Sequence, residues 1–344
     1  MGNELKVSDS NEATEYEEAI RLSDLEFTDL YIGETEGIVK IRGIEDAKGP
    51  LQVVPAGAID DIDIVHQLVQ QKVQNKEREF FVDHDEVRYR VSTIPSINGD
   101  WYTLRKSKTV IPRLKDLGGF NVPTLRHFGW LGKQAKMGAK SGLIIIAGAT
   151  GNGKTTTACS LLREYLLTFG DIAVTIEDPP ELILDGAHGP FGQCFQIKLA
   201  PEETFGKALV SALRYTPKYI FLGELRKAED AGQALRAAIS GHLVITTIHA
   251  GTVEEAINSM LKLTSSADES LEFAQSLLAD GLAGVIHQRL VTRGGRKRLE
   301  IEQLFMGNEK GLRNMIRDGH INQISTSIEQ QKNLMRRGEN PVGV

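Results

Sequence analysis

The segment Gly148-Ala149-Thr150-Gly151-Asn152-Gly153-Lys154-Thr155 has the spacing GxxxxGK[ST]. Glycines so placed let backbone N–H groups curl around phosphate oxygens without Cβ clashes. Lys154 would put a positive charge on the β and γ phosphates, and the Thr155 hydroxyl is suited to reach Mg²⁺. Thr156 extends the candidate phosphate-binding run. The pattern is short and also arises by chance, so its context decides. Here an apolar run precedes it and a helix is predicted from Lys154 to about Thr168. The positive end of such a helix favours an anion.

Three other segments carry groups suited to the same chemistry. Tyr219-Ile220-Phe221-Leu222-Gly223-Glu224 is an apolar run ending in an acid, like a Walker B element, whose carboxylate approaches Mg²⁺ or its water ligands. Glycine stands at 223 where aspartate is usual, so Glu224 must take the acidic role. Ile176-Glu177-Asp178-Pro179-Pro180-Glu181 offers carboxylates that could orient an attacking water or accept its proton; the plain alternative is a proline-stiffened surface turn. In Ser240 to His249 two histidines bracket a buried strand. A lone histidine is usually structural. His249 falls at the carboxyl end of that strand, where it could sense a γ-phosphate, and His242 falls at the opposite end.

These groups need a scaffold, and the apolar pattern supplies one. Continuous apolar runs at 143–147, 172–176, 219–222 and 243–247 predict strands buried on both faces, with helices between them at 203–213 and 228–240. Alternating strands and helices imply an α/β fold with a parallel sheet, and ligands of such sheets bind beyond the carboxyl ends of the strands. After about 252 the chain reads as mainly helical, with one strand near 299–305. Earlier, strands at 38–42, 79–82, 87–91 and 101–105 and an amphipathic helix at 60–76 predict a separate α+β domain. Pro112, Gly118-Gly119 and Pro123 punctuate the stretch between. The expected division is an acidic tail at 1–20, a domain at 21–108, a linker at 109–130 and the second domain at 131–344, helical from about 266.

Composition sets outer limits. The 344 residues suit two domains, and 41% hydrophobic with 25% charged content is ordinary for a globular chain. A net charge of −6 disfavours a dedicated nucleic-acid surface, so no direct nucleic-acid partner is expected. Cys159 and Cys194 lack the spacing of a zinc site or a disulfide framework. No basic segment followed by an apolar stretch opens the chain and no run of about 18 apolar residues occurs, so a soluble, cytoplasmic protein is expected.

The four motifs, in this order and spacing, resemble those of the type II/IV secretion ATPase superfamily. Glu177-Asp178-Pro179-Pro180-Glu181 looks like its Asp box, Leu222-Gly223-Glu224 like its atypical Walker B, and His242 to His249 like its His box. The Gly-Glu usage is the family's own. Gln288-Arg289-Leu290 and Leu312-Arg313-Asn314-Met315-Ile316-Arg317 resemble C-terminal segments of the pilus-retraction branch. Arg88-Tyr89-Arg90-Val91 and Leu104-Arg105 resemble the end of its N-terminal PAS-like domain.

The resemblance implies a RecA-like P-loop core with a PAS-like domain before it and a helical extension after it. It implies ATP and Mg²⁺ as ligands and a homo-hexameric ring at the cytoplasmic face of the inner membrane. Membrane association would be peripheral, through platform or secretion-channel proteins. It gives Lys154 and Thr155 to phosphate and metal and Glu224 to metal and water. Glu181 is the general base, with Glu177 the second choice, and Arg90 and Arg105 are charge-stabilising fingers. The implied work is that of a type IV secretion, conjugation or pilus machine. Pro180 and the Arg214-Tyr215-Thr216-Pro217 run lean away from the standard retraction motor, which is the alternative. A RecA-like DNA translocase and a nucleotide-gated scaffold without turnover are the other readings.

Overall fold

A computed structural model describes residues 20–25, 27–33, 39–42, 51–73, 79–107, 110–200, 202–265, 270–293, 296–307 and 310–342. The chain divides into two units, Met1–Thr109 and Val110–Val344. The acidic tail expected at 1–20 lies almost wholly outside the described residues.

The first unit is built from strands β1 (Asp29–Gly33), β2 (Val39–Arg42) and β3 (Gln52–Val53), helix α1 (Ile59–Val73), and strands β4 (Glu79–His84), β5 (Val87–Ile94) and β6 (Trp101–Lys106). The strands form one sheet in the order β3-β2-β1-β6-β5-β4, every pair antiparallel. Alternation does the work here. Tyr89 and Val91 of β5 are fully buried against Ile62, Val65 and Val69 of α1, while Arg88 and Arg90 point away from that core. Strand β1 has no counterpart in the sequence-based expectation.

The second unit opens with α2 (Val122–Lys136), β7 (Gly142–Ala147), α3 (Lys154–Phe169) and β8 (Asp171–Glu177). It continues through β9 (Gly186–His188), β10 (Gly192–Lys198), α4 (Phe205–Ala212), β11 (Tyr219–Glu224), α5 (Ala228–Ile239) and β12 (Leu243–Ile248). Helices α6 (Val253–Ser265) and α7 (Leu271–Gly281) lead to β13 (Leu282–Arg293) and β14 (Arg296–Phe305), and α8 (Lys310–Arg317) and α9 (Ile324–Arg336) follow. The eight-stranded sheet runs β14-β13-β7-β12-β11-β8-β10-β9. Its inner strands pair in parallel; only the two outer pairs, β13 with β14 and β10 with β9, are antiparallel.

Each inner strand is apolar on both faces because helices cover both. In β7, Leu143, Ile145 and Ala147 face one core with α4 to α7, and Ile144 and Ile146 face the other with α2 and α3. All five are fully buried. At about 2 kcal/mol per buried aliphatic side chain, this strand is among the most strongly anchored segments of the unit.

Two expectations need correction. The span 109–130 is not a bare linker: it contains a short 3-10 helix at Leu114–Leu117 and the start of α2. Pro123 was expected to break structure, but it stands at the second position of α2 behind the N-cap Asn121, whose side chain accepts from the Thr124 N–H. Proline is tolerated there because the first N–H groups of a helix need no intrahelical partner. The C-terminal part from about 266 is not simply helical, because the β13–β14 hairpin runs through it. The apolar stretch of β13 is too short for periodicity to separate a buried strand from a buried helix.

The hairpin is anchored at its end by Gln331 of α9. Its Oε1 accepts from the Phe305 N–H at 2.8 Å and its Nε2 donates to the Phe305 carbonyl at 2.7 Å, as a further strand would. Gln331→Leu should strip both buried bonds and destabilise the unit by about 2 kcal/mol, lowering the thermal midpoint by roughly 4–8 °C. A midpoint unchanged in differential scanning calorimetry would disprove the clamp.

Candidate functional site

The strand order puts four carboxyl ends side by side. β7 ends in the glycine-rich loop, β12 at His249, β11 at Glu224 and β8 at Glu177. Motifs separated by about 100 residues thus meet along one edge of the sheet.

The loop after β7 is shaped by its glycines and by its neighbours. Gly153 is the N-cap of α3 in the left-handed region (φ 77°), which a side chain would disfavour. The N–H groups of the first turn of α3 therefore face the loop, as a phosphate site requires. Lys154 is 9% exposed, and its Nζ donates to the Gly148 carbonyl at 2.8 Å. Burial pulls its ammonium below the ordinary range, while the nearby carboxylates of Glu224 and Glu181 pull the other way. The charges of both acids are thus felt at this lysine.

Glu224 owes its place to a bulge. The β11–β12 register runs Leu222 to Thr246 and then Glu224 to Thr247, which leaves Gly223 as the extra residue. A bulge re-aims the side chain after it. The hydroxyls of Thr246 and Thr247 both donate to the Gly223 carbonyl, at 3.3 and 3.2 Å, and hold it. Arg226 Nε donates to Glu224 at 2.9 Å. The sequence carried no signal for these contacts beyond two threonines on an apolar strand.

The two acids of the 177–181 segment differ in kind. Glu181 is exposed, whereas Glu177 is 3% exposed. Gln196 of β10 donates from one Nε2 to Glu177 Oε1 at 2.8 Å and to the Leu182 carbonyl at 2.7 Å, and its Oε1 accepts from the Leu184 N–H at 3.0 Å. One amide therefore ties the buried acid to the loop that carries Glu181. The peptide between Asp178 and Pro179 is cis. Gln196 escaped the sequence reading because a glutamine on a strand has no distinguishing pattern.

The remaining candidates lie further out. His249 is exposed and lines a shallow depression of about 410 Å³ with Gly251, Glu255 and Lys262. His242, at the other end of β12, bonds through Nδ1 to the Pro217 carbonyl at 2.6 Å, which is a structural role. Arg90 and Arg105 belong to the first unit and stand opposite each other in the β5–β6 register. Arg90 pairs with Glu79 at 3.0 Å and Arg105 with Asp29 at 2.7 Å.

Residues 62–336 match the family of type II/IV secretion system proteins. The chain belongs to this family. The type IV pilus assembly ATPase PilB of Thermus thermophilus is 30% identical over 281 residues, 77% of this chain and 29% of that protein. The type IV pilus retraction ATPase PilT of Pseudomonas aeruginosa is 27% identical over 277 residues, 77% of this chain and 76% of that one. The solved structure of the pilus retraction motor PilT with bound ADP superposes with a TM-score of 0.72 at 26% identity, covering 88% of this chain and 86% of that chain. The chain spans about a third to a half of the length of most curated relatives it matches. The family's α/β fold with a mainly parallel sheet is the fold seen here. Among the described residues no helix is long and apolar enough to cross a membrane.

Within this family site, burial pushes the Glu177 carboxyl up to about 7 from its ordinary 4.5, against the hydrogen bonds that favour the anion. Between those two values the folded state keeps a proton that the unfolded state releases. Stability contributed by this group is therefore complete below pH 4.5 and is lost as pH rises through 7. Glu177→Gln should remove that dependence, on the order of 3 kcal/mol across the window. The check is urea unfolding of both proteins from pH 4.5 to 8; parallel curves would contradict the assignment.

Proposed function

We propose that this chain is an ATPase that turns ATP hydrolysis into mechanical work for a type IV secretion, conjugation or pilus machine. The observation that carries the reading is the strand order, which sets the glycine-rich loop with Lys154, the end of β11 with Glu224 and the end of β8 along one sheet edge, where the charges of Glu224 and Glu181 act on Lys154. Phosphoryl transfer needs little covalent help from a protein and depends on positioning and electrostatic stabilisation.

The residues present fit the ligands. Gly148, Ala149, Thr150, Gly151, Asn152 and Gly153 would offer backbone N–H groups to the phosphates, with Lys154, Thr155 and Thr156 at the start of α3. Thr155 and Glu224 would hold Mg²⁺, which neutralises charge on the phosphates when bound. Glu181 is the proposed general base, because it is exposed, able to meet a water, and its charge acts on Lys154. Glu177, buried and bonded to Gln196, positions the loop instead. His249 is proposed to sense the γ-phosphate.

Arg90 and Arg105 are proposed to lend charge to the site from the N-terminal, PAS-like domain of a neighbour in a homo-hexamer. The ring would act at the cytoplasmic face of the inner membrane on platform or channel proteins. A second reading is pilus retraction, supported by the likeness to PilT along most of both chains.

Lys154→Ala should abolish ATP turnover while the far-ultraviolet circular dichroism stays that of the wild type. Glu181→Gln should lower kcat by roughly 10²–10⁴-fold, the usual loss of a general base, with KM little changed. Glu177→Gln should cost much less. If steady-state kinetics ranked the two glutamates the other way, the base would be Glu177. Native mass spectrometry with nucleotide should find six subunits, and a strict monomer would remove the ring.

A further inference from the structure

Strand β13 lies next to β7, and the phosphate-binding loop rests on it. Gln288 Nε2 donates to the Asn152 carbonyl at 2.6 Å. The Leu290 N–H donates to Asn152 Oδ1 at 3.0 Å. The Gln288 carbonyl lies so close beneath Gly148 that a Cβ there would meet it at 2.5 Å. Three contacts from one short stretch of strand thus fix both ends of the loop.

Gln288 is an expensive choice for packing. It is 1% exposed, and its Oε1 has no hydrogen-bond partner among the described residues. A buried polar atom left unpaired is destabilising, and an apolar side chain of the same volume would avoid that cost. What the glutamine supplies, and leucine or methionine would not, is an N–H donor aimed at one carbonyl. That carbonyl belongs to the peptide between Asn152 and Gly153. In a trans peptide the C=O and the next N–H point opposite ways. Holding the Asn152 carbonyl toward β13 turns the Gly153 N–H to the other side of the loop. A phosphate loop binds anions only when its N–H groups, and not its carbonyls, face them.

We propose that Gln288 is a positioning residue for nucleotide binding: it sets the orientation of the Asn152–Gly153 peptide and so keeps the loop ready for phosphate. The proposal rests on the phosphate-loop reading given above. It predicts a defect in nucleotide affinity, because the loop would have to order itself on binding.

The test compares full-length wild type, Gln288→Met, Asn152→Ala, the double variant and Lys154→Ala by ADP calorimetry and steady-state ATPase kinetics. Gln288→Met should raise the ADP Kd and the ATP KM by roughly tenfold, about one hydrogen bond's worth, with kcat within about threefold and the thermal midpoint not lowered. Gln288→Met and Asn152→Ala should be non-additive, since both loosen one loop. Unchanged ADP affinity in Gln288→Met, alongside lost affinity in Lys154→Ala, would overturn the role of Gln288 alone. Normal affinity in Lys154→Ala would overturn the phosphate-loop reading itself. Should Gln288→Met not fold, Gln288→Leu carries the test, since it too removes the Nε2 donor to the Asn152 carbonyl; ADP binding as tight as wild type would then refute the positioning role.

Discussion

The structure depends on the burial of β7 on both faces. Leu143 to Ala147 are shielded by helices above and below and by β12 and β13 on either side. Parallel strands of this kind occur where both faces are covered, and their carboxyl ends open onto a common edge. The glycine-rich loop is the first irregular segment after a strand buried along its whole length. Its backbone can therefore depart from regular geometry, with the Gly148 and Ala149 carbonyls accepting from Lys154, because a well-buried strand anchors its start.

That edge also concentrates charge, and the protein divides it unequally. Glu181 and Glu224 are accessible and lie near Lys154, so their charges oppose the cost of burying the ammonium. Glu177 is taken out of water and held by Gln196, and burial outweighs the hydrogen bonds that would keep it ionised. A third full negative charge at the same edge would repel the other two carboxylates and an incoming polyphosphate alike. Burying Glu177 keeps its geometric use, the tie to the 182–184 backbone, while shifting its carboxyl toward the neutral form.

Much of this was legible in the sequence because it is local. Continuous apolar runs marked β7, β8, β11 and β12, and each motif sits directly at the end of its strand. The residues that hold the motifs in place were not legible. Gln196, Gln288 and the hydroxyls of Thr246 and Thr247 act on backbone atoms brought near only by the strand order. An amide or hydroxyl on a strand has no spacing that announces such a partner. β13 was missed for another reason: its apolar run, split between the two cores, is too short for its period to tell a buried strand from a buried helix. Pro123 misled because its meaning depends on the Asn121 cap.

The same reasoning separates the two arginines of the first unit. Like charges directly opposite on antiparallel strands repel, and each guanidinium is offset by its own carboxylate. The carboxylates differ in exposure: the Asp29 side chain is 6% exposed and the Glu79 side chain 44%. Drawing Arg105 away would take a cation from a buried carboxylate, which costs more than at an exposed one. Drawing Arg90 away takes a cation from a largely exposed carboxylate that also accepts from Ser92 Oγ at 3.4 Å, and exposed ion pairs contribute little. If either arginine lends its charge elsewhere, the energetics favour Arg90, and Arg105 then serves to hold β6 to β1 at Asp29.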